Sequence, residues 1–318
     1  MIIDFETAIL LLSNNDIVAL PTETVYGLAG KANSELACSK IYKAKGRPNN
    51  NPLIVHVSNL EEAEKYGYFS PDAKKIASVF SPGPITYVVP KKTSDICNVA
   101  TASLDTIAIR IPNHPTILKI IGEVGPLAMP SANMSTKISP TTPDHVIKSF
   151  NGAIPVLDGG SSTFGLESTI IDFSVENPTI LRYGFITEID IENILHKHIF
   201  TMDSISEVNK NSLAQNIKAP GSLSKHYSPS CPIKINVTES AFDEVVINFG
   251  NSKLNGAYSF NLSESGNLVE SAQNLYLMLQ SAEDLVLQNK LSSISVAPIP
   301  NVQIGLAIND KLIRASKK

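Results

Sequence analysis

Lys45 and Arg47 flank Gly46 and precede Pro48, so two cations sit on backbone released from regular structure. Arg47 offers a planar fork of donors and Lys45 a point charge, a pair suited to phosphate oxygens. The apolar stripe Ala37, Ile41, Ala44 predicts a helix before them, with Gly46 as its stop. The same cations would also complement the negative end of that helix, a surface effect of ~0.3–1 kcal/mol. Spacing alone leaves both readings open. The chain has no GxxxxGK[ST], HExxH or GxSxG pattern, so no protein nucleophile or ordinary phosphate loop is indicated. An enzyme built on these residues would align substrates that bring their own nucleophile and would stabilise charge.

Other candidates lie on predicted strands and the loops that follow them. In Thr106–Ile111, alternation places Ile107, Ile109 and Ile111 on a core face and Thr106, Ala108 and Arg110 on the other. Arg110 is then either an edge arginine or a partner for a ligand carboxylate or phosphate. His56 shares a face with Ile54, opposite Leu53, Val55 and Val57; a hydrogen-bonded structural histidine is the plainer alternative to a functional one. Ser131 and Asn133 follow a short apolar strand, at the carboxyl end where open α/β sheets bind ligands. Thr141 precedes a helix start with Pro143 at its first position, suited to capping or to an anion. The hydroxyls of Thr22 and Thr24 precede Tyr26, which fits a packed aromatic. A Gly- and hydroxyl-rich loop, Asp158–Thr169, leads into a strand, and Arg182 sits in the next one.

These residues need an α/β or α+β scaffold: a twisted, partly mixed sheet with flanking helices. Strands are predicted at Ile17–Leu20, Leu53–Val57, Ile85–Val89, Thr106–Ile111, Leu127–Met129, Ile154–Leu157, Thr169–Phe173 and Thr179–Arg182. Helices are predicted at Glu35–Lys45, Glu61–Tyr66, Asp72–Val79, Pro115–Gly122 and Pro143–Phe150, after an amphipathic first helix. Residues 1–202 form this domain. Residues 203–230, rich in Ser, Asn, Pro and Gly, read as a linker. Residues 231–318 resume strand–helix alternation, with a long helix near Leu268–Gln288, as a small Rossmann-like α/β domain without GxGxxG.

The 318 residues are 43% apolar with net charge −4, so no global basic field draws the chain to nucleic acid or an anionic membrane. Three dispersed cysteines without CxxC argue against a disulfide framework or thiolate zinc site and fit a reducing cytosol. The acidic N-terminal stretch matches neither a signal peptide nor a membrane span, which points to a cytoplasmic location.

In their order, these pieces resemble the YrdC-like family of threonylcarbamoyl-AMP synthases. The resemblance rests on PTETVYGL at 21–28, KAKGRPNNNPLIVHV at 43–57, SPGPIT at 81–86, IAIRIPNHP at 107–115, PSAN at 130–133 and GLESTIID at 165–172. GLAIND at 305–310 resembles the ending of its two-domain members. The resemblance implies that L-threonine, bicarbonate and ATP, with Mg²⁺, yield threonylcarbamoyl-adenylate and pyrophosphate. A downstream threonylcarbamoyl transferase would then act on tRNA. By the same resemblance the hallmark catalytic set is Lys45, Arg47, Ser131 and Asn133. Thr24, His56, Arg110, Ser131 and Ser168 would hold threonine. ATP would fall to Lys45, Arg47, Asn51, Thr106, Asn133, Thr141, Arg182 and Tyr227. Pro220-Gly221 and His226-Tyr227-Ser228-Pro229 resemble the family's tether, which folds over the site as a lid; Ser222-Leu223-Ser224 departs from its Met-plus-aromatic pattern. An RNA-binding module with weak RNA contact is the alternative of another class. Carbamate adenylation in hydrogenase maturation would bring fused acylphosphatase-like and zinc-finger regions, and the sequence shows neither.

Overall fold

The computed structural model describes residues 1–202 and 226–317. The predicted linker thus falls outside the described residues up to 225, as do Pro220-Gly221 and the departure at 222–224. The first sheet contains β1 (Ile2–Ile3), β2 (Val18–Leu20), β3 (Gly27–Lys31), β4 (Ile54–His56), β5 (Ile85–Pro90) and β6 (Thr106–Arg110). It continues with β7 (Leu127–Ala128), β8 (Val156–Leu157), β9 (Thr169–Asp172), β10 (Thr179–Arg182) and β11 (Phe200–Thr201). Their spatial order is β1-β8-β2-β3-β7-β4-β6-β5-β9-β10-β11, with parallel and antiparallel pairs mixed. Helices α1 (Phe5–Ser13), α2 (Glu35–Lys45), α3 (Leu60–Tyr66), α4 (Pro71–Phe80), α5 (Asn98–Thr101), α6 (Pro115–Val124), α7 (Pro143–Ser149) and α8 (Glu188–Leu195) flank it.

Alternation along the central strands behaves as predicted. Leu53, Val55, Val57, Ile107, Ile109 and Ile111 enter the main core, while Ile54, Val88, Ala108 and Ile170 form a separate cluster on the other face. Parallel pairing of β4 with β6 sets His56 opposite Arg110, so both candidates sit together at the carboxyl ends of their strands.

The segment 27–31, where no strand is predicted, is strand β3. Its small residues hide the pattern because neighbours press on them: a Cβ on Gly27 would stand 2.4 Å from Met129 Cγ, and one on Gly30 3.2 Å from Ala37 and Ile41. Helix α2 matches its predicted span. Ser34 caps its start and Gly46, at φ +58°, ends it in the left-handed region that glycine tolerates.

The second sheet is wholly parallel: β12 (Ile233–Lys234), β13 (Glu244–Asn248), β14 (Tyr258–Asn261) and β15 (Ser293–Val296), in the order β12-β15-β13-β14. Helices α9 (Leu268–Asn289) and α10 (Ile304–Ser316) pack with it. Their core also takes in Val25, Ile138 and Leu166 from loops of the first sheet. Cys38, Cys97 and Cys231 are buried free thiols. No helix among the described residues is long and apolar enough to cross a membrane.

Candidate active site

A cavity opens where the carboxyl ends of β4, β6 and β10 meet the loops after β2 and β7 and the loop before β9. Thr24, Arg47, His56, Arg110, Ser131, Ser168, Arg182 and Tyr227 all line it. The sequence places these eight candidates more than two hundred residues apart along the chain, and the fold gathers them in one place. Thr22, Glu167 and His226 line it as well.

Each wall residue is held by specific partners. Thr22 Oγ1 lies 2.9 Å from Thr24 Oγ1 and donates to the Val25 carbonyl at 2.7 Å, fixing the turn after β2. Arg47 donates to Asn51 O, Asn51 Oδ1 and Pro52 O at 3.1, 2.6 and 2.9 Å. Arg182 donates to the carbonyl and hydroxyl of Ser168, each at 3.0 Å, and Ser168 Oγ lies 2.7 Å from Thr86 Oγ1. Tyr26 is a packed aromatic, as the plainer reading had it. Its hydroxyl donates to Gly160 O at 2.7 Å and accepts from Gly159 N, tying down the glycine-rich loop.

Five predicted residues stand outside the wall. Lys45 is buried behind it, its ammonium donating to the carbonyls of Ser131 and Asn133 at 2.5 Å each. The basic turn is therefore no mere dipole complement, since Lys45 ties α2 to the loop after β7. Asn51 orients Arg47, and Asn133 donates to Met134 O and Lys137 O. Thr141 is buried with its hydroxyl 3.4 Å from His145 Nδ1. The cap of α7 is Thr142, not Thr141, because Thr142 Oγ1 accepts from His145 N. Thr106, half-buried, begins β6 four residues before Arg110, roughly 13 Å along an extended strand.

Two carboxylates escaped the sequence reading. Glu23 pairs with Arg110, Oε1 to Nη2 at 2.7 Å, with both side chains buried. Its backbone carbonyl accepts from Phe164 N and Thr163 Oγ1 in the glycine-rich loop. Glu167 accepts from the hydroxyls of Ser139 and Tyr276. Both lie inside motifs singled out above, PTETVYGL and GLEST, but a carboxylate beside an expected anion site carries no sequence signal of its partner.

The field of the cavity is positive. Burial, with Arg182 adding to it, pushes the Arg47 guanidinium down to about 10, and burial and then Arg47 drive the Lys45 ammonium well below its ordinary value. Burial and Arg110 likewise hold His56 well below the usual imidazole range, so its ring is neutral at pH 7. Its Nδ1 lies 3.2 Å from the Ile54 carbonyl, which can only accept, so Nδ1 carries the proton and Nε2 is the acceptor nitrogen. Burial, then Lys45 and Arg47, also keep His226 neutral. Among the described residues, Asn51 Nδ2, Asn133 Oδ1, His226 Nδ1 and the Tyr227 hydroxyl are buried without hydrogen-bond partners. Such groups cost free energy unless a ligand satisfies them.

Residues 10–184 match the Sua5–YciO–YrdC family model, described as "Telomere recombination". Residues 186–317 match a model described as "Threonylcarbamoyl-AMP synthase, C-terminal domain". The threonylcarbamoyl-AMP synthase of Bacillus subtilis is 35% identical over 324 residues, covering 96% of this chain and 91% of that protein. The synthase of Pyrococcus abyssi is 34% identical, with coverage of 94% and 90%. The crystal structure of P. abyssi Sua5 complexed with L-threonine superposes with a TM-score of 0.87 at 31% identity, covering 99% of this chain and 97% of that one.

Proposed function

The chain belongs to the Sua5–YciO–YrdC family in its two-domain form, and on that premise we propose that it is a nucleotidyltransferase making threonylcarbamoyl-AMP for tRNA modification. Threonine's amine, losing its protons, takes up the carbon of bicarbonate as a carbamate, with release of water. A carbamate oxygen then attacks the α-phosphorus of ATP, and the bond to pyrophosphate breaks. No protein nucleophile is needed, in keeping with a wall of hydroxyls and guanidinium groups around the reacting groups. The observation that carries this reading is the convergence of Arg47, Arg110 and Arg182 with Thr24, Ser131 and Ser168 on one cavity.

In this reading Arg110 takes the threonine carboxylate, with Thr24, Ser131 and Ser168 around the rest of the amino acid. The unprotonated Nε2 of His56 accepts a hydrogen bond from the substrate's ammonium or hydroxyl. Arg47, Lys45 and Arg182 draw the triphosphate to the opposite side, with Asn51, Asn133, Thr106 and Thr141 behind them, and Tyr227 packs against the nucleotide. The family implies Mg²⁺, and the donor set fits a metal that arrives with ATP. The cavity presents cations, and the acid–histidine cluster with metal-binding spacing among the described residues, Glu188, Glu192 and His198, does not line it. Bound to the phosphates, Mg²⁺ supplies charge neutralisation and orientation of the leaving group.

A downstream threonylcarbamoyl transferase would consume the product, and three buried free cysteines accord with a cytoplasmic site of action. An RNA-binding module without synthase activity is the weaker reading, because a net charge of −4 and an inward-facing cation cluster offer little to a polyanion's surface. Pyrophosphate release from the purified protein, with each of threonine, bicarbonate and ATP omitted in turn, tests the assignment. Release is expected only with all three; release indifferent to threonine would overturn it.

A further inference from the structure

The helices of the second sheet reach the wall of the cavity, and two of their buried polar side chains have no part in the reaction as described. Tyr276, on α9, donates its hydroxyl to Glu167 Oε2 at 2.8 Å. Its ring stacks on that of Tyr227, with centroids 5.7 Å apart and planes inclined by 26°. Lys311, on α10, is 1% exposed. Its ammonium lies 5.6 Å from the centroid of the Tyr227 ring and donates to the carbonyl of Tyr183, next to Arg182. Glu167 and Tyr227 both line the cavity. The loop bearing Glu167 rests on the backbone of α9: a Cβ on Gly165, at φ +69°, would stand 2.5 Å from the Gln273 carbonyl oxygen.

A core that only needed filling would not keep these groups. A buried lysine whose nearest carboxylate oxygen is 3.4 Å away carries a desolvation cost that leucine or methionine would avoid. Burial, with Glu167 next to it, raises the Tyr276 phenol well above its ordinary value, so it stays a donor at any working pH. We propose that Tyr276 and Lys311 are positioning residues that set Tyr227 and the Glu167 carboxylate in the geometry adenylate formation uses. The C-terminal domain is then the rear support of the nucleotide half of the cavity. This rests on the synthase reading above.

Tyr276→Phe keeps the ring stack and removes only the bond to Glu167; Lys311→Met keeps the stem and removes the charge. Both, with wild type, are assayed for threonine-dependent pyrophosphate release, KM for ATP, kcat per folded molecule, and L-threonine binding by calorimetry. Each variant should lose about tenfold or more in kcat/KM for ATP, the scale of one hydrogen bond to a charged group, with L-threonine affinity held within about twofold. Unchanged kcat and KM per folded molecule, including the case where only the folded fraction falls, would overturn the proposal, since a purely structural role does that. A wild-type chain that releases no pyrophosphate would instead strike at the synthase reading itself.

Discussion

The ion pair between Arg110 and Glu23 predicts a double-mutant cycle in which stability and substrate binding separate. Arg110 Nη2 and Glu23 Oε1 are 2.7 Å apart, with side chains 5% and 4% exposed. Two unit charges at that distance attract by roughly 6 kcal/mol at an effective dielectric of 20, but withdrawing both ions from water offsets most of it. Removing one partner alone is costlier than removing both. Arg110→Ala strands a buried carboxylate whose Oε2 already has no hydrogen-bond partner among the described residues, and should destabilise the fold by about 3–5 kcal/mol. Glu23→Gln combined with Arg110→Ala removes both charges and should recover a large part of that loss. Threonine binding should follow the other logic: both Arg110 variants lose the carboxylate contact and bind at least about tenfold more weakly, the scale of a charge-assisted pair. Urea unfolding measures the first effect and calorimetric titration with L-threonine the second. A double variant no more stable than Arg110→Ala would refute the electrostatic account, and wild-type threonine affinity in either variant would remove Arg110 from the carboxylate site.

Three further outcomes are expected. Burial keeps His56, His226 and His145 below the ordinary imidazole range, His145 at about 4 with Lys148 contributing. The unfolded chain takes up these protons near pH 6.5 and the folded chain only lower, so stability should fall as pH drops below that value, by up to ~1.4 kcal/mol per pH unit per histidine. Urea midpoints between pH 7 and pH 4.5 read this, and a slope unchanged by His145→Gln would exclude that residue's share. Arg47→Ala removes the side chain bonded to Asn51 and Pro52 and should reduce threonine-dependent turnover at least ~100-fold, as losing a transition-state charge contact does, with the fold intact by circular dichroism; wild-type rates would remove its role. A chain ending at residue 202 keeps the principal core, contributed by residues between Ile17 and Ile199, but uncovers Val25, Ile138 and Leu166. It should fold, with a lower urea midpoint, and lose activity; failure to fold would overturn a domain boundary there.

What the sequence disclosed follows from periodicity, and what it hid follows from tertiary pairing. The β6 strand declared both its faces because Ile107, Ile109 and Ile111 alternate with Ala108 and Arg110; both faces are buried, and the first joins the main core while Ala108 joins a separate cluster. Strand β3 stayed concealed because Gly27 and Gly30 answer to Met129 and α2 rather than to any strand preference. Helix α8 was overlooked although Thr187 and Asp190 form a capping box, a signal the sequence does carry. Glu23 and Glu167 could not be singled out, since alternation within one element says which residues share a face and nothing about which faces meet.

Those two carboxylates alter how the cavity's charge is understood. Arg110 is balanced by Glu23 before any substrate arrives, whereas among the described residues Arg47 and Lys45 bond neutral partners such as carbonyl and amide oxygens. The excess positive charge therefore sits on the side assigned to the triphosphate, and the threonine side is close to neutral. That division suits the two ligands: a polyanion needs uncompensated cations, while a zwitterion with one carboxylate would be held too tightly by a bare guanidinium and would have to leave as part of the product. Glu23→Gln, which frees Arg110, should accordingly strengthen equilibrium binding of L-threonine, and calorimetry showing weaker binding would mean that the pair organises Arg110 more than it tempers it.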